Sequence, residues 1–307
     1  MDERIIQLRD GHPMFFRVWH SSETLATMHI NHGMTEHSER YDEFAEYLAG
    51  LGITVYAQDH RGHGFTKAED EKGWFADRDG WALIAEDSWE LDKLISQEFP
   101  HVPHFIFGHS MGSFLVRTLL QTHSQSYAAA IICGTGASMG IAAKAGKLIA
   151  MHNAKKYGGR MPDKLMEKLS FSSYGRHFPG EGRWAWLTKD KSAQEKYEND
   201  ILCGFTCSSS FYIDLLTGIE IANDRKLNAQ IRKDLPMLII SGEEDPVGNY
   251  GKGVRKVFNM YRDLGLENVL LRLFKSDRHE ILNETDKDDV MKEIGRFCLD
   301  VMDKLDE

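Results

Sequence analysis

Gly108-His109-Ser110-Met111-Gly112 sets a serine between glycines two residues before and two residues after it. The pentapeptide follows the apolar run HFIF directly and precedes the helix-like run SFLVRTLLQTH. That context is a strand, a sharp turn and a helix. In such a turn the glycines leave out side chains that would meet neighbouring backbone, and the serine Oγ stands above the sheet edge. The N–H groups that open the helix favour a developing negative charge at the same point. Nucleophilic attack on a carbonyl is the chemistry this arrangement serves.

A serine hydroxyl needs a base to take its proton and a third group to orient that base. Two later loops offer them. Gly242-Glu243-Glu244-Asp245-Pro246 follows the strand-like MLIISG, and Asp277-Arg278-His279-Glu280 follows VLLRLF. His279 is the expected base. His109, His60 and His63 are its rivals, and His109 adjoins the serine, so its ring should leave in another direction. Four acids compete as the third group: Glu243, Glu244, Asp245 and Asp277. Pro246 stiffens the turn that would aim Asp245. An oxyanion needs two N–H donors. Met111, just after the serine, is one candidate. Met34 is the other, in Asn31-His32-Gly33-Met34, where Gly33 permits close backbone approach.

These groups need a sheet to hold them. Strand-like segments are read at 14–20, 25–30, 53–57, 105–107, 128–133, 238–240 and 269–274, several of them short unbroken apolar runs of the kind buried on both faces of a parallel sheet. Amphipathic helical patterns run over 38–51, 81–99, 250–264 and 285–305. Strand and helix alternate, the signature of an α/β sheet. The alternation stops between about 137 and 233, where no good strand is found. This stretch reads as a mostly helical insertion after the sixth strand, rich in Met and aromatics (Met151, Met161, Met166, Phe171, Trp184, Trp186, Phe205, Phe211, Tyr212). Most of these belong to the insertion's own core; the sequence does not say which line a pocket.

The chain has 307 residues, 42% of them apolar, and a formal charge of −10, enough to bury a core without metal or disulfide staples. That charge disfavours a general nucleic-acid binder and gives no net steering toward anionic membranes. Cys133, Cys203, Cys207 and Cys298 follow no disulfide or zinc spacing. Asp59-His60-Arg61-Gly62-His63-Gly64 has a metal-like look, but Arg61 and the histidines are expected to bond loop backbone and brace the loop of Gly33. No P-loop and no G-x-G-x-x-G after a strand asks for a nucleotide or flavin, so no cofactor and no metal are expected. The N-terminus lacks an apolar leader, no apolar run is long enough to span a bilayer, and a cytoplasmic location is the expectation.

With these motifs in hand, the chain resembles the monoacylglycerol lipase and lysophospholipase group of α/β-hydrolases, which is grouped with the serine aminopeptidase clan. The likeness runs through His32-Gly33-Met34-Thr35-Glu36-His37-Ser38, Arg40-Tyr41, Asp59 to Gly64, Gly108 to Ser113, Asp245-Pro246-Val247-Gly248 and Arg278 to Glu284. The resemblance implies Ser110 as nucleophile, Asp245 as acid, His279 as base, and Met34 and Met111 as amide donors. It implies a mostly parallel eight-stranded sheet flanked by helices, with core residues 1–136 and 234–307 and a helical cap at 137–233. The implied substrate is a small acyl ester, a monoacylglycerol or lysophospholipid. An amide or amino-terminal peptide, or a small ester, is the alternative. Docking on a membrane through the cap is also implied. The segment GIAAKAGKLIA at 140–150 either faces lipid or packs on the core.

Overall fold

The computed structural model describes residues 1–67 and 71–306. Residues 68–70 and 307, which fall within the expected core ranges, lie outside the described residues. Eight strands form one sheet: β1 (Asp2–Gln7), β2 (Pro13–Trp19), β3 (Ala26–Asn31), β4 (Ile53–Gln58), β5 (His104–His109), β6 (Ala129–Cys133), β7 (Met237–Gly242) and β8 (Val269–Phe274). Their order is β1-β2-β4-β3-β5-β6-β7-β8. β2 runs antiparallel to β1 and β4, and the remaining neighbours are parallel. This is the mostly parallel eight-stranded sheet the resemblance implied. β1 is the strand that reading the segments did not find. Its sequence DERIIQ has three charged residues before two adjacent isoleucines, it pairs on one side only, and Ile5 stays exposed on the edge.

The period of two along each strand divides the core. Phe105 and Phe107 of β5 face α1 (Asp42–Gly50) and α10 (Lys287–Asp306), where Phe44, Leu48, Ile294 and Phe297 meet them. Ile106 faces the other side, against Val116 and Leu120 of α3 (Met111–His123) and Val257 of α9 (Lys252–Asp263). α2 (Gly80–Glu98) lies on this second face, with Leu91 and Ile95 against Phe16 and Val18 of β2.

The chain between β6 and β7 is helical: α4 (Ile141–Tyr157), α5 (Lys164–Phe171), α6 (Lys191–Asn199), α7 (Ser209–Ala222) and α8 (Arg225–Asn228). Side-chain caps fix several of these starts; Asp163, Asp190, Ser208 and Asp224 each accept from N–H groups of the first turn. α7 packs at once on α4 and on the sheet helices α3 and α2. Its approach to α2 is so close that a side chain at Gly218 would overlap the Trp81 ring. The insertion is thereby tied to the layer that carries the G-x-S-x-G turn.

Candidate active site

Ser110 joins β5 to α3 with φ 52° and ψ −118°, a conformation that a non-glycine residue adopts only when its surroundings enforce it. Three contacts enforce it. The Ser110 N–H donates to the Cys133 carbonyl at 3.0 Å, and the Ser113 N–H and hydroxyl both donate to the Ser110 carbonyl, at 2.9 and 2.5 Å. The glycines are required by close packing: a Cβ at Gly108 would overlap the Gly112 carbonyl, and one at Gly112 would overlap the Asn31 carbonyl at the end of β3. Met111 opens α3, so its N–H has no partner within the helix. Met34 shares a cavity wall with Ser110, and a Cβ at Gly33 would crowd the Ser110 Cβ.

The structure brings the expected partners together. His279 Nε2 lies 2.8 Å from Ser110 Oγ. His279 Nδ1 lies 3.0 Å from Asp245 Oδ1, within ion-pair distance though not aligned for a hydrogen bond. Asp245 is fully buried; its Oδ1 accepts the Val247 N–H at 2.8 Å and its Oδ2 the Ser241 hydroxyl at 3.2 Å. The rival acids turn elsewhere. Asp277 pairs with Lys189 at 2.5 Å, and burial pushes its carboxyl up to about 6. Glu243 lies near Arg255 and Glu244 near Arg278.

The rival histidines are also placed. His60 and His63 sit with His32 in a buried cluster, ring centroids 4.2 and 5.4 Å from His32. The His60 N–H donates to His32 Nε2 at 3.0 Å, which braces the loop that starts at His32. Burial lowers all three rings, His63 to about 3, so they stay neutral. Arg61 does not bond loop backbone as expected. It pairs with Asp87 at 2.5 and 2.9 Å and with Asp10 at 2.9 Å. A buried guanidinium needs an ionised partner, and Asp87 on α2 supplies it.

A second set of charges passed unread in the sequence. Glu36 is buried beside the serine turn. Its Oε1 accepts from the Gly33 N–H at 2.5 Å, the Tyr41 hydroxyl at 2.9 Å and His109 Nδ1 at 3.1 Å. Its Oε2 accepts from Arg40 at 2.6 Å. Arg40 forks onto both oxygens of Glu280 at 2.7 and 2.6 Å and stacks over the Tyr197 ring at 4.8 Å. Burial works to raise the Glu36 carboxyl, but Arg40 and His109 outweigh it and hold it well below the usual carboxylate range. The Thr35 carbonyl accepts from the Tyr197 hydroxyl and the Gly204 N–H, both at 3.0 Å. The loop of Gly33 is therefore clamped from below by Glu36 and from above by the insertion.

Ser110 and His279 open onto a cavity of about 600 Å³. Of the aromatic and Met residues singled out in the insertion, Met166, Phe171, Trp184, Trp186, Phe205 and Tyr212 line it, together with Met139, Tyr174 and Tyr197. Phe211 instead packs in the core, and Met151 and Met161 face solvent. Cys203 is separated from Cys207 in role: it sits with His37 and Asp200, whose His37 Nε2 and Oδ2 are 2.8 Å apart. This trio offers three donors where a structural zinc takes four. Burial pushes the Cys203 thiol up, with Arg40 pulling the other way. We read it as a polar latch between the Gly33 loop and the end of α6.

A family model described as serine aminopeptidase, S33 (Hydrolase_4) matches residues 22–286. The monoglyceride lipase of Mus musculus is 27% identical over 286 residues, covering 90% of this chain and 86% of the relative. The monoacylglycerol lipase of Mycolicibacterium smegmatis is 23% identical, over 88% of this chain and 86% of its own length. Among solved structures, a thermostable carboxyl esterase from Bacillus coagulans in complex with glycerol superposes with a TM-score of 0.90 at 27% identity, covering 98% of both chains. A soluble variant of monoglyceride lipase from Saccharomyces cerevisiae, with a substrate analogue, superposes at 0.77 with 19% identity over 98% of this chain and 94% of that one, a likeness of fold.

Proposed function

Because the chain belongs to the serine aminopeptidase S33 family of α/β-hydrolases and is related to monoglyceride lipases and esterases, we propose that it cleaves the ester of a single-acyl lipid, a monoacylglycerol or a lysophospholipid. The observation that carries this reading is the Ser110 Oγ, 2.8 Å from His279 Nε2, on the wall of a large cavity lined mostly by apolar and aromatic side chains. In the proposed reaction His279 takes the serine proton as Oγ attacks the carbonyl carbon. The oxyanion is received by the N–H groups of Met34 and Met111, and Asp245 stabilises the imidazolium. His279 then protonates the leaving alcohol. Water, deprotonated by the same histidine, resolves the acyl-enzyme and frees the acid.

The peptidase alternative calls for an unpaired acid in the cavity to receive a free amino terminus. Glu181, Asp190, Glu195, Glu198 and Asp200 are absent from the described cavity wall. Of the acids that line it, Glu167 is bonded to Arg183 and Thr206, and Glu36 and Glu280 to Arg40. This supports the ester reading.

The outer face of the insertion supports a lipid substrate. Ile141, Leu148 and Met151 of α4 are 86%, 67% and 51% exposed, and Leu165 and Leu169 of α5 join them in solvent. Lys144, Lys155, Lys156, Lys164 and Lys168 are exposed in the same two helices. Residues 137–180 carry eight Lys and Arg against two Asp and Glu, so a chain of net negative charge presents a locally basic apolar face. That pattern suits a transient seat on an anionic lipid surface. Among the described residues no helix is long and apolar enough to cross a membrane.

The test is hydrolysis of monoacylglycerols, lysophosphatidylcholines, 4-nitrophenyl esters from C2 to C16 and aminoacyl anilides, with Ser110→Ala as control. Turnover of single-acyl lipids, peaking at C8 or longer and lost in Ser110→Ala, is expected. Activity confined to C2–C4 esters or to anilides would overturn the substrate proposed. Activity or fluorophosphonate labelling retained by Ser110→Ala would overturn the mechanism.

A further inference from the structure

His109 occupies the variable place before the serine, and its ring has two neighbours. Nδ1 lies 3.1 Å from Glu36 Oε1, and Nε2 lies 3.2 Å from the backbone carbonyl oxygen of His279. Neither neighbour can donate. A carbonyl is acceptor-only, and Glu36 is held ionised by Arg40 and its other donors. A neutral imidazole has one N–H, so it would leave one of these oxygens facing a bare nitrogen lone pair in a buried site. Two acceptors require two protons.

We infer that His109 is held as an imidazolium and acts as a positioning residue, clamping the backbone of His279 to the carboxylate that anchors the Gly33 loop. The inference rests on the reading of Ser110 and His279 as nucleophile and base. Through one ring, the chain links the three segments that must keep register. Glu36 takes the Gly33 N–H, His109 is the neighbour of Ser110, and the far nitrogen holds the carbonyl of the residue whose ring meets Ser110 Oγ. The packing leaves no slack: a Cβ at Gly134, just past β6, would crowd both the His109 and the His279 rings, whose centroids are 4.8 Å apart.

Among the charged and titratable groups facing the ring, the carboxylates Glu36 and Glu280 favour a cation there, while Arg40 and a protonated His279 oppose it. From the Gly33 loop come Glu36, and beyond it Arg40 and Tyr41. From the end of β6 comes Cys133, whose thiol burial keeps neutral. From the loop after β8 come His279 and Glu280. Burial works against the charge on His109, but the Glu36 bond and charge outweigh it and raise the ring above the ordinary histidine range. The cation therefore outlasts an ordinary histidine as pH rises, and one clamp bond is lost when it finally titrates. Activity should fall on the alkaline side as His109 loses its proton.

The experiment labels the full chain with 15N-histidine and reads ring protonation by NMR, His109→Asn identifying the signal. Two protonated ring nitrogens on His109 at pH 7 are expected, and one bare nitrogen overturns the inference. Alongside, kcat and KM for a soluble short-chain ester are followed against pH. His109→Asn, which cannot titrate, is expected to lower kcat about 10- to 100-fold with KM unchanged, the scale of a misplaced reacting group, and to remove the alkaline fall. A fall that persists in His109→Asn, or a loss carried by KM alone, also overturns it. Should the variant not fold, its missing signal is replaced by assignment through Glu36→Gln, which removes the carboxylate from His109, the histidine ring bonded to Glu36, and the wild-type ring decides. Retained turnover in Ser110→Ala would instead bring down the proposed mechanism while leaving the ring measurement intact.

Discussion

Replacing Arg40 by alanine strips the guanidinium that bridges two buried carboxylates. Glu36 and Glu280 are 3% and 5% exposed, and Arg40 bonds both, to Glu280 through two nitrogens. Removing one partner of a buried pair leaves an uncompensated charge and costs about 3–5 kcal/mol. Surface screening does not soften this, because the carboxylates have almost no water contact. At about 2 °C per kcal/mol for a chain of this size, the melting temperature should drop by about 6–10 °C at pH 7. The loss must also depend on pH in a definite sense. Arg40 helps to depress the Glu36 carboxyl, so its stabilisation is present above the unfolded carboxylate range and is lost only as pH falls through the depressed native value. Without Arg40 the carboxyl rises, and protonation relieves the buried charge. The gap between wild type and Arg40→Ala should therefore narrow from pH 7 to pH 5. Thermal unfolding by circular dichroism at one scan rate, at both pH values, reads both effects. A drop under about 2 °C at pH 7, or a gap that widens toward pH 5, would refute the reasoning.

Three more outcomes are expected. Asp245→Asn should lower kcat by about 10⁴ with little change in melting temperature, because it turns the His279 tautomer without emptying the site; steady-state kinetics on a soluble ester checks it. Gly112→Ala should abolish folding or the active geometry, since its Cβ would overlap the Asn31 carbonyl, and soluble yield with fluorophosphonate labelling reads the loss. Ile141→Ser with Leu148→Ser should weaken binding to anionic vesicles in a sedimentation assay while kcat/KM on a soluble C4 ester stays the same; equal binding would remove the docking face.

What the sequence makes legible is what short-range chemistry dictates. Ser110 is read because its glycines, its preceding strand and its following helix are contiguous. His279 is read because it follows a recognisable apolar strand; Asp245 follows one too, but Glu243 and Glu244 share its loop, and Pro246 and the resemblance single it out. Glu36, Arg40 and Glu280 lie within the motifs of the resemblance, but their pairing is not legible, because Arg40 and Glu280 lie 240 residues apart and no local pattern joins them. Arg61 misleads for the same reason: its partner Asp87 sits on a helix whose rotation the pattern does not specify. β1 escapes because its segment DERIIQ is mostly charged or polar and shows neither an apolar run nor an alternation. Within the insertion, composition tells that aromatics abound, but only packing separates Trp186 beside His279 from Phe211 in the core and Met151 in solvent.

The bonds between the insertion and the Gly33 loop bear on how such enzymes diversify. Tyr197 and Gly204 hold the Thr35 carbonyl, and Asp200 holds His37, so part of the insertion is a prop for the very loop that would receive the oxyanion. Thr35 itself keeps a φ of 55°, a strained posture that relaxes if the prop is withdrawn. The insertion is thus not an interchangeable module. A chimera that grafts a relative's 137–233 onto this sheet would import a new cavity lining and is expected to lose turnover, unless residues 197–204 travel unchanged. Drift in substrate preference is expected instead in α5, whose side chains line the cavity without bonding the Gly33 loop.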